Sequence, residues 1–170
     1  MSLKARGMSL VEALVALLVL SIGMLGIAGL FVESVRSSRT ALLRTQAINL
    51  VSDMADRIRA NATAGVAYDI DTYGGAPAIR NCAPDPTDVG GNCTVVNLAE
   101  DDLARWITQV NLMLPAFNGN APQAAVQRTA PVNAGGPERY QITVSWQEPG
   151  EAAPFTYATD VVIIPRLPQA

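Results

Sequence analysis

The feature that most constrains this chain is an uncharged stretch near its N-terminus, from residue 13 to residue 32. A helix of about 20 apolar residues is about 30 Å long, which matches the hydrocarbon thickness of a bilayer. Lys4 and Arg6 precede the stretch, and Glu12 is the acid directly before it. From Glu33 onward, charged and polar residues return. The pattern predicts a membrane anchor that carries a soluble domain.

The anchor differs from a cleaved secretory signal. Such a signal has an apolar core of about 7–15 residues and then a small-residue cleavage site, whereas this run is longer and no such site closes it. Basic residues ahead of a span predict that this end stays in the cytoplasm and that the bulk of the chain lies outside. Arg36, Arg39 and Arg44 on the far side weaken that bias. An uncleaved signal anchor is the simplest interpretation.

Glu12 needs its own explanation, because a carboxylate in hydrocarbon costs a few kcal/mol. Near the interface its side chain can reach the headgroups, so an acid without a function is one interpretation. The other is that Glu12 pairs with a cation in an apolar setting. A cut between Gly7 and Met8 would supply that cation, because the new amino group of a neighbouring subunit could contact Glu12. In lipid an unpaired charge is costly, which favours such a pair.

The segment that begins at Gly7 and continues "MSLVEALVALLVLSIGMLGIAGL" resembles the class III leader of type IV pilins and pseudopilins. The positions that match the family pattern are Gly7, Met8, Ser9, Leu10 and Glu12, with Met8 in place of the usual phenylalanine. The resemblance implies that a membrane peptidase cuts after Gly7 and that Met8 is then N-methylated. It also implies that Glu12 is used in filament assembly.

Two further segments narrow the resemblance. "RTQAINLVSDMADRIRAN" at 44–61 and "DDLARWITQVNLMLP" at 101–115 are similar to the PilV family of minor pilins, the type IV pilus modification proteins. This implies a subunit that helps to prime pilus assembly and enters the pilus at its tip, in support of twitching motility, adhesion or DNA uptake. A type II secretion pseudopilin with the same anchor is the alternative, and an unrelated membrane protein or enzyme is the third hypothesis.

The same resemblance implies a location and a set of partners. The chain would cross the inner membrane once, with its C-terminal domain in the periplasm, and would later lie in the pilus at the cell surface. Its partners would be other minor pilins, the major pilin, the prepilin peptidase, the inner-membrane assembly platform and a tip adhesin. The predicted division is a leader at 1–7, a membrane and assembly segment at 8–32, the soluble half of the helix at 33–61 and a periplasmic globular domain at 62–170.

Apolar residues at helical spacing follow the membrane segment and predict one unbroken helix from about Ser9 to Asn61. This stripe is predicted to pack on the folded domain, and it consists of Leu43, Ala47, Leu50, Met54 and Ile58.

Three glycines interrupt the apolar run, at positions 23, 26 and 29. Each costs about 1 kcal/mol of helix propensity relative to alanine. They indicate either close contact with another helix or a segment that bends or extends in a filament. Simple tolerance of glycine in a membrane helix is the third interpretation.

Residues 62–97 are rich in Gly, Pro, Asp and Asn and are predicted to form a loop. The loop contains the two cysteines of the chain, Cys82 and Cys93. Export to an oxidising compartment favours a disulfide between them, and two thiols without a histidine make a poor metal site. The loop acids do not have the spacing of an EF-hand and are interpreted as solvated turn residues; they are Asp69, Asp71, Asp85 and Asp88.

Asn97 and Glu100 have the spacing of a capping box, which predicts that a second helix opens at Asn97. Pro115 is expected to end it. Its buried face is predicted to consist of Leu103, Trp106, Ile107, Val110 and Leu114, with Trp106 in the core rather than in a binding site.

The C-terminal third predicts strands at 139–146 and 155–164, where polar and apolar residues alternate, and a weaker strand at 124–129. The expected fold class is therefore α+β. A long N-terminal α-helix, membrane-spanning in its first half, would pack on a small antiparallel β-sheet, with a short second helix.

Composition argues against an enzyme and against a nucleic-acid partner. The chain has no histidine, a net charge of -3 and 5% aromatic residues, so the commonest general base, a basic surface and stacking platforms are missing or scarce. No cofactor is expected. Two acids from the 69–102 region that converge in an apolar pocket would favour catalysis. The glycosylation sequons at Asn61 and Asn92 are interpreted as coincidence in a bacterial protein.

Overall fold

The computed structural model describes residues 9–70, 77–82, 93–116, 121–133 and 135–164. Helix α1 runs from Leu10 to Ala60, and helix α2 runs from Val95 to Met113. Strand β1 comprises Gln123–Thr129, β2 comprises Glu138–Trp146 and β3 comprises Phe155–Ile163. The chain divides into two compact units, an N-terminal unit that ends at Ala41 and a folded unit that starts at Leu42.

Helix α1 confirms the prediction of one unbroken helix. In the folded unit its predicted stripe faces the core, because Ala47, Leu50, Met54 and Ile58 are buried and Leu43 packs partly against them. After Ala60 the chain turns into a 3₁₀ helix, Ala62–Tyr68, within which Gly65 has a φ of 56°. A positive φ of this kind suits glycine, which explains the kink within this segment.

The three strands form one antiparallel sheet in the order β1-β2-β3, which confirms the α+β class. Ile142 in the central strand lies opposite Val126 of β1 and Thr159 of β3. The predicted alternation in β2 is also correct, because the side chains that point inward are fully buried; they are Tyr140, Ile142, Val144 and Trp146.

The core lies between this sheet, α2 and the C-terminal part of α1. Trp106 is buried and its indole N–H donates to the carbonyl oxygen of Leu50 at 2.9 Å. This confirms that Trp106 is a core residue, and the hydrogen bond removes the cost of burying its polar atom. The other predicted residues of the buried face of α2 are buried or, for Ile107, partly buried.

The predicted start of α2 was wrong by a few residues. The helix begins at Val95, and the hydroxyl of Thr94 accepts a hydrogen bond from the amide of Asn97 at 3.2 Å. Asn97 is therefore the third residue of the helix rather than its cap. Threonine and asparagine are both good N-caps, so the composition of this stretch allowed two starting points.

The prediction of a loop across 62–97 was too simple. It contains the 3₁₀ helix and the start of α2, and Ile70 forms an antiparallel bridge with Val126 at the free side of β1. Asn61, one of the two sequon asparagines, is buried and its side-chain amide donates to the carbonyl oxygen of Val95 at 2.8 Å. That contact leaves no room for a glycan, and Asn92 lies outside the described residues.

Candidate assembly site

The N-terminal unit exposes a continuous apolar surface on α1. Every large apolar side chain from Leu14 to Val32 is exposed, and Leu25, for example, is 74% exposed. Such a surface is unfavourable in water and marks a site that lipid or protein covers. Within the part of the chain that the structure describes, α1 is the helix whose length and apolar composition allow it to cross a bilayer.

Glu12 lies in the first turn of α1, and its side chain is exposed. The N-terminus of a helix carries a partial positive charge, which stabilises an acid in the first turn. Among residues 9–70 and the other described segments, no cation forms an ion pair with Glu12. Gly7 and Met8, the predicted cleavage and methylation positions, lie outside the described residues.

The glycines of the apolar run leave open space beside the helix. A Cβ atom added at Gly23, Gly26 or Gly29 would meet no atom of this chain within 4 Å. These positions therefore serve no packing requirement within the described chain.

The carboxylate of Asp101 on α2 binds the backbone of the two residues that directly precede Cys82. Its carboxylate accepts hydrogen bonds from the backbone amides of Arg80 and Asn81 at 2.8 and 3.0 Å, and from Nε of Arg105 at 2.7 Å. Burial raises the pKa of Asp101, but the hydrogen bonds from Arg105 and from the two amides outweigh it and leave the pKa below its ordinary value. The carboxylate therefore stays charged and acts as a structural acceptor.

The expected disulfide is present between Cys82 and Cys93, whose Cα atoms are 5.8 Å apart. Cys82 directly follows Asn81, and Cys93 directly precedes Thr94, the N-cap of α2. Both ends of the loop that the disulfide closes are thus joined to α2, one through Asp101 and the other through the chain itself. The geometry makes α2 the base of this loop.

Asp102, the next residue on α2, connects three elements of the folded unit. Its two oxygens accept from Nη1 of Arg57 on α1 at 2.9 Å and from the hydroxyl of Tyr68 at 2.7 Å. Nε of Arg57 donates in addition to Asp53 at 2.9 Å. Burial and the bond to Asp102 raise the pKa of Tyr68, so its hydroxyl keeps the proton that it donates.

Arg44 and Glu148 form a two-point ion pair between α1 and the connection from β2 to β3. Nε and Nη2 of Arg44 lie 2.8 and 2.9 Å from the two carboxylate oxygens. The guanidinium carbon lies 4.4 Å from the ring centre of Phe155, and Glu148 is buried. The pair and the stacked ring fix α1 against this side of the sheet.

A second two-point pair stabilises the other end of the sheet, where Arg128 of β1 donates to both oxygens of Glu138 of β2 at 2.7 and 3.0 Å. The hydroxyl of Tyr140 donates to Glu138 at 2.7 Å. The bonds from Arg128 lower the pKa of Glu138 more than its burial raises it, and Tyr140 adds to the lowering. Burial and the bond to Glu138 in turn raise the pKa of Tyr140 to about 12.

The described acids of the 69–102 region do not converge in a pocket. Asp101 and Asp102 have separate hydrogen-bond partners, and Asp69 accepts from the backbone amide of Arg128. An open groove of about 370 Å³ between α1 and α2 has Asp53 as its one acid, and a cleft of about 240 Å³ beside the β1–β2 turn has Glu138 as its one acid. The described residues contain no cluster of metal-ligating side chains, and three of the predicted turn acids lie outside them; these are Asp71, Asp85 and Asp88.

Sequence reasoning missed the polar contacts that hold the folded unit together. Arg44 and Glu148 are 104 positions apart, and no local pattern predicts such a pair. A signal for Asp101 existed in the adjacent acids at 101 and 102, because two neighbouring charges on the buried side of a helix require partners. The sequence could not say which partners these would be.

Two family models match consecutive parts of the chain. Residues 2–28 match the prokaryotic N-terminal methylation motif, and residues 29–104 match the family described as Type IV pilin Tt1218. Comparison with curated proteins and comparison with solved structures gave no match.

The two matches, with the apolar helix and the sheet that follows it, support a type IV pilin that takes part in pilus assembly. Type IV pilins are structural rather than enzymatic proteins. The methylation motif together with the exposed apolar part of α1 indicates a chain that is first anchored in a membrane and is later incorporated into the pilus. A pilin with this N-terminal motif implies partners in pilus assembly and association with a membrane.

Proposed function

We propose that this chain is a minor pilin of the PilV type, a structural subunit without enzymatic activity. In this proposal it helps to prime pilus assembly and then lies at the pilus tip. The observation that supports it most is the exposed apolar helix with a single acid in its first turn, directly within a methylation motif. The similarity of 44–61 and 101–115 to PilV proteins favours the minor pilin over other pilins.

The assembly chemistry of the proposal rests on a cut between Gly7 and Met8. The cut leaves the amino group of Met8, which is N-methylated and stays cationic. Glu12 of one subunit then pairs with this cation on a neighbouring subunit. In a water-poor filament core the pair compensates two charges that are each costly alone, while the apolar side chains of α1 exchange lipid contacts for contacts with other subunits.

The proposal places the folded unit in the periplasm and the leader, residues 1–7, in the cytoplasm. The segment 8–32 then spans the membrane, 33–61 is the soluble half of the helix and 62–170 is the periplasmic domain. The proposed partners are the prepilin peptidase, the assembly platform, other minor pilins, the major pilin and a tip adhesin. Twitching motility, adhesion or DNA uptake would depend on the chain through the pilus and without direct contact to DNA.

The primary test compares Glu12→Gln with Glu33→Gln in cells that lack the wild-type chain. Both substitutions remove one exposed acid from α1, but we expect only Glu12→Gln to reduce the amount of the chain in sheared pili, by about tenfold or more. The amount in the membrane should stay unchanged. Equal incorporation of the two variants would contradict the role of Glu12.

Processing has a separate test. N-terminal sequencing of the mature chain should give a methylated Met8, and Gly7→Val should leave a chain that retains Lys4 and Arg6. A mature chain that keeps these residues in the wild type would overturn the pilin mechanism. Loss of pili on deletion of the gene supports the minor pilin, whereas intact pili with a loss of protein secretion would assign the chain to the secretion pseudopilins.

A further inference from the structure

The two cysteines of the disulfide are connected to α2 in different ways. Cys93 directly precedes Thr94, the N-cap of α2, and the helix is fixed in the core by Leu103 and Trp106. The packing of α2 therefore sets the position of Cys93. Cys82 lies in neither a helix nor a strand, so other contacts have to set its position.

These contacts come from Asp101. Its oxygen Oδ1 accepts from the backbone amides of both Arg80 and Asn81, at 2.8 and 3.0 Å, and the residue is buried. Asn81 has a φ of 54°, a conformation that asparagine tolerates, and successive amides beside such a residue can form an anion-binding concavity. Nε of Arg80 also donates to Glu100 of α2 at 2.7 Å. We call the contact of Asp101 with the two amides the Asp101 clamp.

We propose that Asp101 is a positioning residue for the disulfide. The Asp101 clamp forms in the reduced chain and holds the thiol of Cys82 near that of Cys93, so that oxidation links two positions which the fold has already brought together. The Cα atoms of the two cysteines are 5.8 Å apart, within the range that a disulfide requires. This inference goes beyond the proposed function and does not depend on it, because it concerns how the folded unit closes its own disulfide.

The reaction needs an oxidant, and a small disulfide such as oxidised glutathione is sufficient. The thiolate of one cysteine attacks a sulfur of oxidised glutathione, forms a mixed disulfide and releases one glutathione thiolate. The thiolate of the other cysteine then attacks the protein sulfur of the mixed disulfide and releases the second glutathione. In total two electrons and two protons pass from the two thiols to glutathione. The equilibrium constant of the whole reaction is a concentration, the effective concentration of one thiol at the other.

This effective concentration separates positioning from stability. In the unfolded chain it reflects random encounters of two thiols that are 11 positions apart. A disulfide of ordinary strength across such a loop implies a value about 100-fold higher in the folded chain. Hydrogen bonds to a charged acceptor contribute a factor of about ten or more, which is the share that we assign to the Asp101 clamp. A change that weakens the reduced and the oxidised fold equally cancels from the constant.

Asp102, the next residue of α2, supplies the matched control. Its carboxylate binds Arg57 and Tyr68, and its contacts in the described part of the chain do not include the segment before Cys82. Asp102→Asn removes the same charge from the same helix and weakens the fold through these two bonds. It should leave the effective concentration unchanged. A merely structural role of Asp101 would make the two variants behave alike.

A second pair of variants acts from the other side of the clamp and leaves α2 intact. Arg80 is exposed, so its replacement does not disturb the core. Arg80→Ala keeps the backbone amide that Asp101 binds, whereas Arg80→Pro removes its hydrogen. Both lose the ion pair with Glu100, and the difference between them therefore isolates the amide.

The test measures the effective concentration in the full chain in detergent. The wild type and the four variants are equilibrated with reduced and oxidised glutathione near neutral pH, free thiols are alkylated, and the oxidised fraction is determined by mass spectrometry. The series is repeated in urea at a concentration that unfolds the chain. Tryptophan fluorescence of the reduced wild type reports whether the chain is folded without the disulfide.

We expect Asp101→Asn to lower the effective concentration in native buffer by at least about tenfold, and Arg80→Pro to lower it below the value of Arg80→Ala. In urea all the chains should agree, because the unfolded chain has no Asp101 clamp. The reduced wild type should keep its native fluorescence.

Four results overturn the proposal. They are equal values for Asp101→Asn and the wild type, an equal loss in Asp102→Asn, a difference that persists in urea, and a reduced wild type that is unfolded. If Asp101→Asn itself unfolds on reduction, the Arg80 pair decides, and equal values for Arg80→Pro and Arg80→Ala overturn the proposal.

Discussion

The two parts of helix α1 have the same backbone and opposite surroundings. In the N-terminal unit Met24 is 62% exposed, whereas in the folded unit Met54 is fully buried. The first part exposes large apolar side chains from Leu14 to Val32, and the second has one apolar stripe that packs with α2 and the sheet. The difference shows that composition alone specifies the first part, whereas the second is specified by the contacts it makes.

The largest expected effect compares these two methionines directly. Met54→Ala should lower the free energy of unfolding of the folded unit by about 2–5 kcal/mol, because it leaves a cavity in a packed core. Met24→Ala should leave it unchanged. Urea unfolding of the full chain in detergent, followed by tryptophan fluorescence, measures this, since both tryptophans lie in the folded unit. Equal losses for the two variants would contradict the comparison.

The disulfide should have the next largest effect. Replacing Cys82 and Cys93 with serine should lower the free energy of unfolding by about 3 kcal/mol. The disulfide closes a loop of about a dozen residues and so reduces the conformational entropy of the unfolded chain. The loss of the disulfide should lower the stability of the folded unit and leave the helix of the N-terminal unit unchanged. The same urea experiment on the double variant tests this, with reduction of the wild type as a check; an unchanged midpoint in both would show that α2 holds the loop without the link.

Asp101 should contribute somewhat less than the disulfide to the free energy of unfolding. Asp101→Asn should cost about 1–3 kcal/mol at pH 7, because it weakens the bonds to the amides of Arg80 and Asn81 and leaves Arg105 without its charged partner. Glu33→Gln, which removes an exposed acid from α1, is the matched control and should cost nothing measurable.

The same carboxylate predicts a dependence of stability on pH. Because the pKa of Asp101 and that of Glu138 are lower in the folded state than in the unfolded state, the stability they provide is complete above the unfolded value of about 4 and is lost as the pH falls through the folded pKa. The urea midpoint of the wild type should therefore fall between pH 6 and pH 3, and that of Asp101→Asn should fall less. If the urea midpoints of the wild type and of Asp101→Asn fall in parallel as the pH is lowered, Asp101 is not the source of the pH dependence.

The smallest effect separates two possible starts of α2. Thr94→Ala should cost about 1 kcal/mol, because Thr94 caps the helix. Asn97→Ala should cost less, since only the backbone amide of Asn97 takes part in the cap. The reverse order in urea unfolding would restore the helix start at Asn97 that the sequence suggested.

Regular spacing explains which parts of the fold could be predicted. The stripe from Leu43 to Ile58 and the alternation from Tyr140 to Trp146 each repeat with the period of their element, so helix, strand and buried face could all be derived from sequence. The 3₁₀ helix after Ala60 and the bridge of Ile70 to β1 have no such period. They depend on a positive φ at Gly65 and on a strand that arrives much later in the chain.

The sequence by itself determined the membrane-compatible length of the first part of α1 and the single acid at its edge, because both depend on the order of residues along one helix. Tertiary structure alone decided which charges became structural. Arg44 meets Glu148 and Asp101 meets the amides of Arg80 and Asn81 only after distant segments pack together. A buried charge is stable only with its partner, and which partner arrives depends on the path of the whole chain.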